Sequence, residues 1–282
     1  MTGDLVSSEV AKMPRRSERI SQKAVSMGIR SANPGVRRKS NSTARSHIAS
    51  RKGLSTRPFP PIHVEHFGII QSLLCYEPFW LLVAVTLLNK TPGQSARPIF
   101  WRIKDRYQDP PSLAAADQDE LSQMIRTLGL QTQRSNRIIK LATTWTRSPP
   151  RKGVRYRTRN YPLQGQGKEL DVQVETDAVE CAGALEIGHL AGCGPYAWDS
   201  WRIFCRDILR GVADDYNGLH ALPEFVPEWK RVRPLDKELQ ACLRWMWLRE
   251  GWIWTPGTDS KRRVTEQEME SAVQGGSFAH EL

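Results

Sequence analysis

Residues 190 to 205, LAGCGPYAWDSWRIFC, combine two glycines, a cysteine and a proline directly before a run with no further helix breaker. Leu190, Gly192 and Gly194 spell L-x-G-x-G. Glycines at this spacing admit backbone geometries closed to other residues, and their missing Cβ atoms let another group come close. Successive N–H groups, joined by the first-turn amides of the following helix, then form a concave site for an anion such as a DNA phosphate. Two other readings compete. One is a tight loop whose glycines serve packing alone. The other is a metal knuckle, for which the ligands fall short: Cys193 and Cys205 are twelve apart with no partner pair, His189 does not complete a set, and His63 and His66 are only two. No metal and no cofactor is expected. The five cysteines include no C-x-x-C pair, which points to reduced thiols inside a cell.

The elements that must position this stretch read as all-α. In IHVEHFGIIQSLLCY, Phe67, Ile70, Leu73 and Leu74 fall at helical spacing. Pro78 opens a helix whose sequence, FWLLVAVTLL, is apolar all round and so belongs at the centre. SARPIFWRIKDRY gives a third helix, which Pro110-Pro111 end. SLAAADQDELSQMIRTLGL gives one or two short helices closing at Gly129, and 134–145 gives another. The Pro, Gly and charge content of 147–176 predicts a long surface excursion, and 211–229 a second one. Helical signal resumes over 178–189. Pro195 starts a helix with Ala197, Trp201, Phe204 and Ile208 on one face, and LDKELQACLRWMWLRE gives the last. These readings divide the chain into a basic N-terminal tail, 1–60, a helical domain, 61–254, and a loose polar tail, 255–282.

The net charge of +11 is unevenly placed. Residues 1–60 hold thirteen Lys/Arg against three acids, whereas the remaining 222 residues are nearly balanced. Low apolar content with high charge predicts disorder in that tail and unspecific attraction to polyanions. Arg37-Arg38-Lys39 resembles a nuclear signal, and the Arg- and Ser-rich composition also resembles a mitochondrial presequence. A nuclear protein is expected. The longest apolar run, Phe79 to Leu88, is too short to span a bilayer, so no membrane partner is expected.

PFWLLVAVTLLNKTPGQSA, RTLGLQTQRSNRIIKLA, EIGHLAGCGPYAWDSWRIFC and RVRPLDKELQACLRWMW occur in that order. Together they resemble the helix-hairpin-helix DNA glycosylases, a superfamily marked by this hairpin, a Gly/Pro-rich loop and a later aspartate. Within it the likeness is to the mismatch-specific thymine/uracil glycosylases that in animals carry a methyl-CpG-binding domain. It covers about residues 66 to 254, and no methyl-CpG-binding domain is visible. The resemblance implies a two-lobed helical bundle acting on double-stranded DNA, expected to be monomeric. It also implies base excision repair by flipping thymine or uracil from G·T and G·U mismatches. Asp236 matches the essential aspartate. A carboxylate there would stabilise an oxocarbenium-like sugar and orient water, while capping of the helix it precedes is the plain alternative. Tyr196 stands where bifunctional relatives carry a Schiff-base lysine, which implies hydrolysis without backbone cleavage. By the same resemblance Gln71 and Tyr196 line the base pocket, Lys90 with Asn89 and Thr91 fills the gap left by the flipped nucleotide, and Leu130 wedges at the opposite base. Pro195 replaces a residue that is usually basic, and Glu238 replaces a lysine. These departures keep two alternatives open: a glycosylase for another damaged base, and a non-catalytic DNA-binding protein that retains the hairpin.

Overall fold

The computed structural model describes residues 54–176, 178 and 181–276. The readings made for 1–53, the basic arm and its Arg37-Arg38-Lys39 signal, lie outside the described residues.

The central element is α2, Pro78–Leu88, with Pro78 in its first turn. Leu81, Leu82, Val83 and Leu87 are completely buried. A helix apolar on every side needs neighbours on every side. They are α1 (Ile70–Leu73), α3 (Gly93–Arg106), α6 (Gln131–Arg147) and α7 (Pro195–Phe204). Two short helices, α4 (Pro110–Ala114) and α5 (Gln118–Met124), pack on α6. Asp109 and Asp117 cap them by accepting from Ser112 N–H and Glu120 N–H. Pro110 and Pro111 therefore open α4 rather than only ending α3, because a proline loses nothing in a first turn whose N–H is unpaired anyway. After α8 (Arg206–Arg210) and a 3-10 turn (Glu228–Arg231), α9 (Lys237–Arg249) completes the helical core.

The protein is mainly helical, but the all-α expectation needs three corrections. First, residues 62–76 give only the single turn α1: Gly68 at φ +92° interrupts the periodic pattern, and Leu73 is exposed. Second, the excursion 147–176 contains β1 (Val154–Arg157) and β2 (Gln173–Glu175), which join β3 (Ala184–Leu185) in an antiparallel sheet of order β2-β1-β3. The helix expected over 178–189 is thus replaced, over 181–189, by β3 and turns. Sheet pairing decides this: Tyr156 and Arg157 register with Leu185 and Ala184. Gly188 then lies so close to β1 that a Cβ would sit 2.3 Å from the Tyr156 carbonyl oxygen. Third, residues 255–276 are not a loose tail. A hairpin of β4 (Trp252–Thr255) and β5 (Ser260–Arg263) precedes α10 (Glu266–Gln274), which Thr265 and Glu268 close with a reciprocal capping box.

The end of the presumed N-terminal tail also belongs to the packed unit. Ser55 and Phe59 are buried, Pro60 accepts from Trp245 Nε1 at 2.9 Å, and Phe59 accepts from Gly276 N–H at 2.9 Å. A buried ionic chain ties the sheet to the helices. Arg206 donates to Glu186 at 3.3 Å and to Glu228 at 2.6 Å, and Arg202 donates to Glu228 at 2.6 Å. Burial raises the Glu228 carboxyl, but Arg206 and Arg202 outweigh it and hold the group below its ordinary value.

Candidate active site

Gln71, Tyr196 and Asp236 come from α1, the first turn of α7 and the residue before α9, and the fold brings them together. Gln71 is buried, contrary to an exposed helix position, and its Nε2 donates to Tyr196 Oη at 2.8 Å. Burial and the nearby Asp236 charge push the Tyr196 phenol far up, so it stays a neutral hydroxyl. Asp236 is the N-cap of α9: its Oδ1 accepts from Glu238 N–H and Leu239 N–H, both at 3.0 Å. The capping alternative is therefore correct as local structure, but it uses only one oxygen. Oδ2 has no hydrogen bond among the described residues. Burial raises the Asp236 carboxyl, the two backbone donors lower it, and the Glu238 charge raises it, for a net upward shift.

The hairpin Leu190-Ala191-Gly192-Cys193-Gly194 buries Leu190 and leads into α7. The two glycines have different causes. Gly192 sits at φ +81°, and a Cβ there would meet Arg137 Cβ at 3.4 Å, so the fold itself explains it. Gly194 has an ordinary extended backbone, φ −139°, with nothing within 4 Å of an added Cβ. Only the first glycine uses the left-handed conformation, and among the described residues no neighbour requires the second. No side chain caps α7, which leaves its first-turn amides without a side-chain acceptor. Burial pushes the Cys193 thiol up to about 12.

Lys90 and Leu130 are exposed tips on separate loops, and both adopt left-handed backbone, φ 58° and 52°. Such geometry costs a non-glycine residue about 1–2 kcal/mol and persists where surroundings impose it. A buried arginine fastens the Lys90 loop. Arg134, buried in α6, donates to the carbonyls of Leu87 and Asn89 and to Thr91 Oγ1, and its own N–H donates to the Leu130 carbonyl at 2.9 Å. Asn89 and Thr91 thus act within the structure as the fastening points of the Lys90 loop.

Sequence reasoning missed five residues here. Arg134 gave no signal beyond its place four after Leu130. Arg137, one turn later, lies along Gly192 and lines a cavity of about 170 Å³ with Asn89, Gly194 and Tyr196. It sets a cation beside the hairpin, where Pro195 supplies none. Asp199 is a buried carboxylate on α7. Burial raises it, the Tyr161 hydroxyl bond at 2.7 Å and Arg202 lower it, Asp236 raises it, and it reaches about 6. Arg57 and the buried Ser55 donate to Glu238 at 3.3 and 3.1 Å, so the carboxylate in the lysine position carries its own partner.

The site thus consists of a glycine hairpin feeding a helix without a side-chain cap, with an aspartate at the head of a later helix. Residues 83–242, more than half of the chain, match the HhH-GPD superfamily of base excision DNA repair proteins, and the chain belongs to that superfamily. It is also similar to the thymine-DNA glycosylase of Aeropyrum pernix, 38% identical over 66 residues, which is 23% of this chain and 30% of that protein. The matched stretch thus spans under a third of that relative's length. Among the described residues no helix is long and apolar enough to cross a membrane.

Proposed function

We propose that the chain is a monofunctional DNA glycosylase that flips thymine or uracil from G·T and G·U mismatches and hydrolyses the N-glycosidic bond. The observation that carries this reading is the convergence of Gln71 and Tyr196, 2.8 Å apart, beside Asp236, whose Oδ2 makes no hydrogen bond among the described residues. Because Gln71 Nε2 is engaged by Tyr196, its Oε1 is left as an acceptor. Thymine and uracil carry an N3–H donor that pairs with such an acceptor, whereas cytosine presents a bare N3. As the bond to C1′ stretches, positive charge builds on the sugar, and Asp236 Oδ2 stabilises it and orients the attacking water. Oδ1 stays fixed by the α9 amides throughout, so the carboxylate needs no reorganisation. A half-buried, un-ionised tyrosine at position 196 offers no amine for a Schiff base, which supports base release without strand cleavage.

Around this centre, the open space over Gly194, the uncapped first turn of α7 and the Arg137 cation suit a DNA phosphate. Lys90 would occupy the gap left by the extruded nucleotide, and Leu130 would press on the orphaned base. Extrusion is cheapest at a mismatch, which gives part of the selectivity. The basic N-terminal segment would add salt-sensitive affinity and address the protein, acting as a monomer, to the nucleus. The test is single-turnover base release from duplexes holding G·T, G·U or G·C, followed by heating in alkali to reveal abasic sites. The expected result is release at G·T and G·U alone, with no strand break before alkali. Tight DNA binding without release at any of the three would favour the non-catalytic reader.

A further inference from the structure

The C-terminal hairpin carries a feature outside the site described above. Its second strand reads Ser260-Lys261-Arg262-Arg263, exposed throughout. Most cations nearby are matched by an acid: Lys230 pairs with Glu250 at 2.5 Å, Arg233 with Asp259 at 2.6 Å, and Arg262 with Glu268 at 2.5 Å. Lys261 and Arg263 take part in no ion pair among the described residues. Each instead lies over an indole ring, Lys261 3.9 Å from Trp247 and Arg263 4.0 Å from Trp252. Register explains only the second placement, since Trp252 faces Arg263 across the strands, whereas the Trp247 ring under Lys261 comes from α9. The rings fix the two stems without neutralising the charges. Two residues apart on one strand, their Cα atoms are separated by about 7 Å.

The hairpin is aimed by its turn. Asp259 accepts from Trp254 Nε1 at 2.7 Å and from Arg233 Nη2 at 2.6 Å. Arg233 lies three residues before Asp236, so the turn is latched to the loop that carries the proposed reaction centre, and β4 packs along α9 from there. The charged strand therefore starts beside that loop and runs away from it. Elsewhere in the folded part, bases and acids nearly balance, so two neighbouring cations with no ion-pair partner among the described residues form a local feature.

We propose that Lys261 and Arg263 form a second DNA-backbone contact, holding phosphates that flank the lesion, separate from the hairpin at Gly192–Gly194. That they flank a lesion rests on Asp236 marking the reaction centre; the phosphate contact itself does not. The contact is sequence-independent, because the strand offers charge without a groove-reading element.

The full chain and its Lys261→Gln/Arg263→Gln variant, which keeps polar stems over the rings, would be titrated with duplexes of about three helical turns and about one turn across a range of salt. The expected result on the long duplex is weaker binding, by about tenfold at low salt, and a log–log salt slope shallower by about two. The short duplex should bind both proteins alike, and single-turnover release at saturating protein should not change. An unchanged slope on the long duplex, or an equal loss on the short one, would overturn the proposal. A second measurement avoids mutation: in the unaltered protein, the long duplex should shield Lys261 from amine acetylation, and unimpeded labelling would equally overturn it. Undamaged DNA serves for every binding arm. A lowered slope in a protein that releases no base would therefore keep this contact while removing the glycosylase reading.

Discussion

Asp236 performs two tasks through two oxygens, and a pair of substitutions separates them. Asp236→Asn removes the charge but retains an acceptor at Oδ1 for Glu238 N–H and Leu239 N–H. Asp236→Ala removes both. Stability and activity should then diverge. Loss of the cap costs about 1 kcal/mol, so the Ala variant should melt about 2–4 °C below the Asn variant for a unit of this size. The charge acts in the opposite sense. Net burial raises the Asp236 carboxyl in the folded state, so the folded protein holds the proton more firmly than the unfolded chain. Ionisation thus removes stability as pH rises through the folded-state value. At neutral pH the Asn variant should melt above the parent, and the gap should close toward acid pH, where the parent is protonated too. Activity should ignore the cap. Removing one preorganised charge from a developing cation costs about 3–4 kcal/mol, or two to three orders of magnitude. Both variants should lose base release to a similar extent under single turnover. The assay is thermal melting across pH beside base release from a G·U duplex. An Asn variant with parental rate would leave Asp236 as a cap alone. Rates that track melting temperature would show that activity follows helix integrity rather than charge.

Three further outcomes follow from the same geometry. Gly194→Ala meets open space at an ordinary φ, so melting should move by less than about 0.5 kcal/mol while affinity for undamaged duplex falls; unaltered affinity would return the hairpin to a packing role. Arg134→Ala removes charged hydrogen bonds to Leu87, Asn89 and Thr91, each worth about 1.5–3 kcal/mol and not additive. It should lower both melting temperature and base release, and Arg134→Lys should rescue little because it lacks the planar fork; full rescue by Lys, read in the release assay, would refute the fastener role. Glu228→Ala would leave Arg202 and Arg206 without their shared acceptor, for a loss of about 3–5 kcal/mol in chemical denaturation. In the parent, this carboxyl lies below its ordinary value of 4.5, so its contribution is present above that pH and fades as pH falls through the folded value.

Much of the helical core was legible in the chain. The all-apolar run at 79–88 had only one stable place, the centre, and Pro78 and Pro195 marked helix starts through their missing N–H. The hairpin pattern and Asp236 were visible because their chemistry is local: two glycines beside a helix start, and an acid before another. The strands were not legible. The β1 and β3 residues become strands only by pairing with each other across an excursion of about thirty residues. A short apolar segment such as 184–187 suits helix or strand equally well until a partner is supplied. The SKRR segment reads as polar tail for the same reason, since the indoles that hold Lys261 and Arg263 lie on other elements.

The sequence by itself determined which residue types were present and which helices could form, because propensity, capping and periodicity act within a few residues. Tertiary structure alone decided which of those residues meet. Gln71 and Tyr196 are 125 positions apart and Arg134 reaches the Asn89 carbonyl across 45. Glu238 finds Arg57 across 181. No local rule encodes such distances. They are set when burial of the apolar core forces distant segments together and each buried polar group must find a partner there.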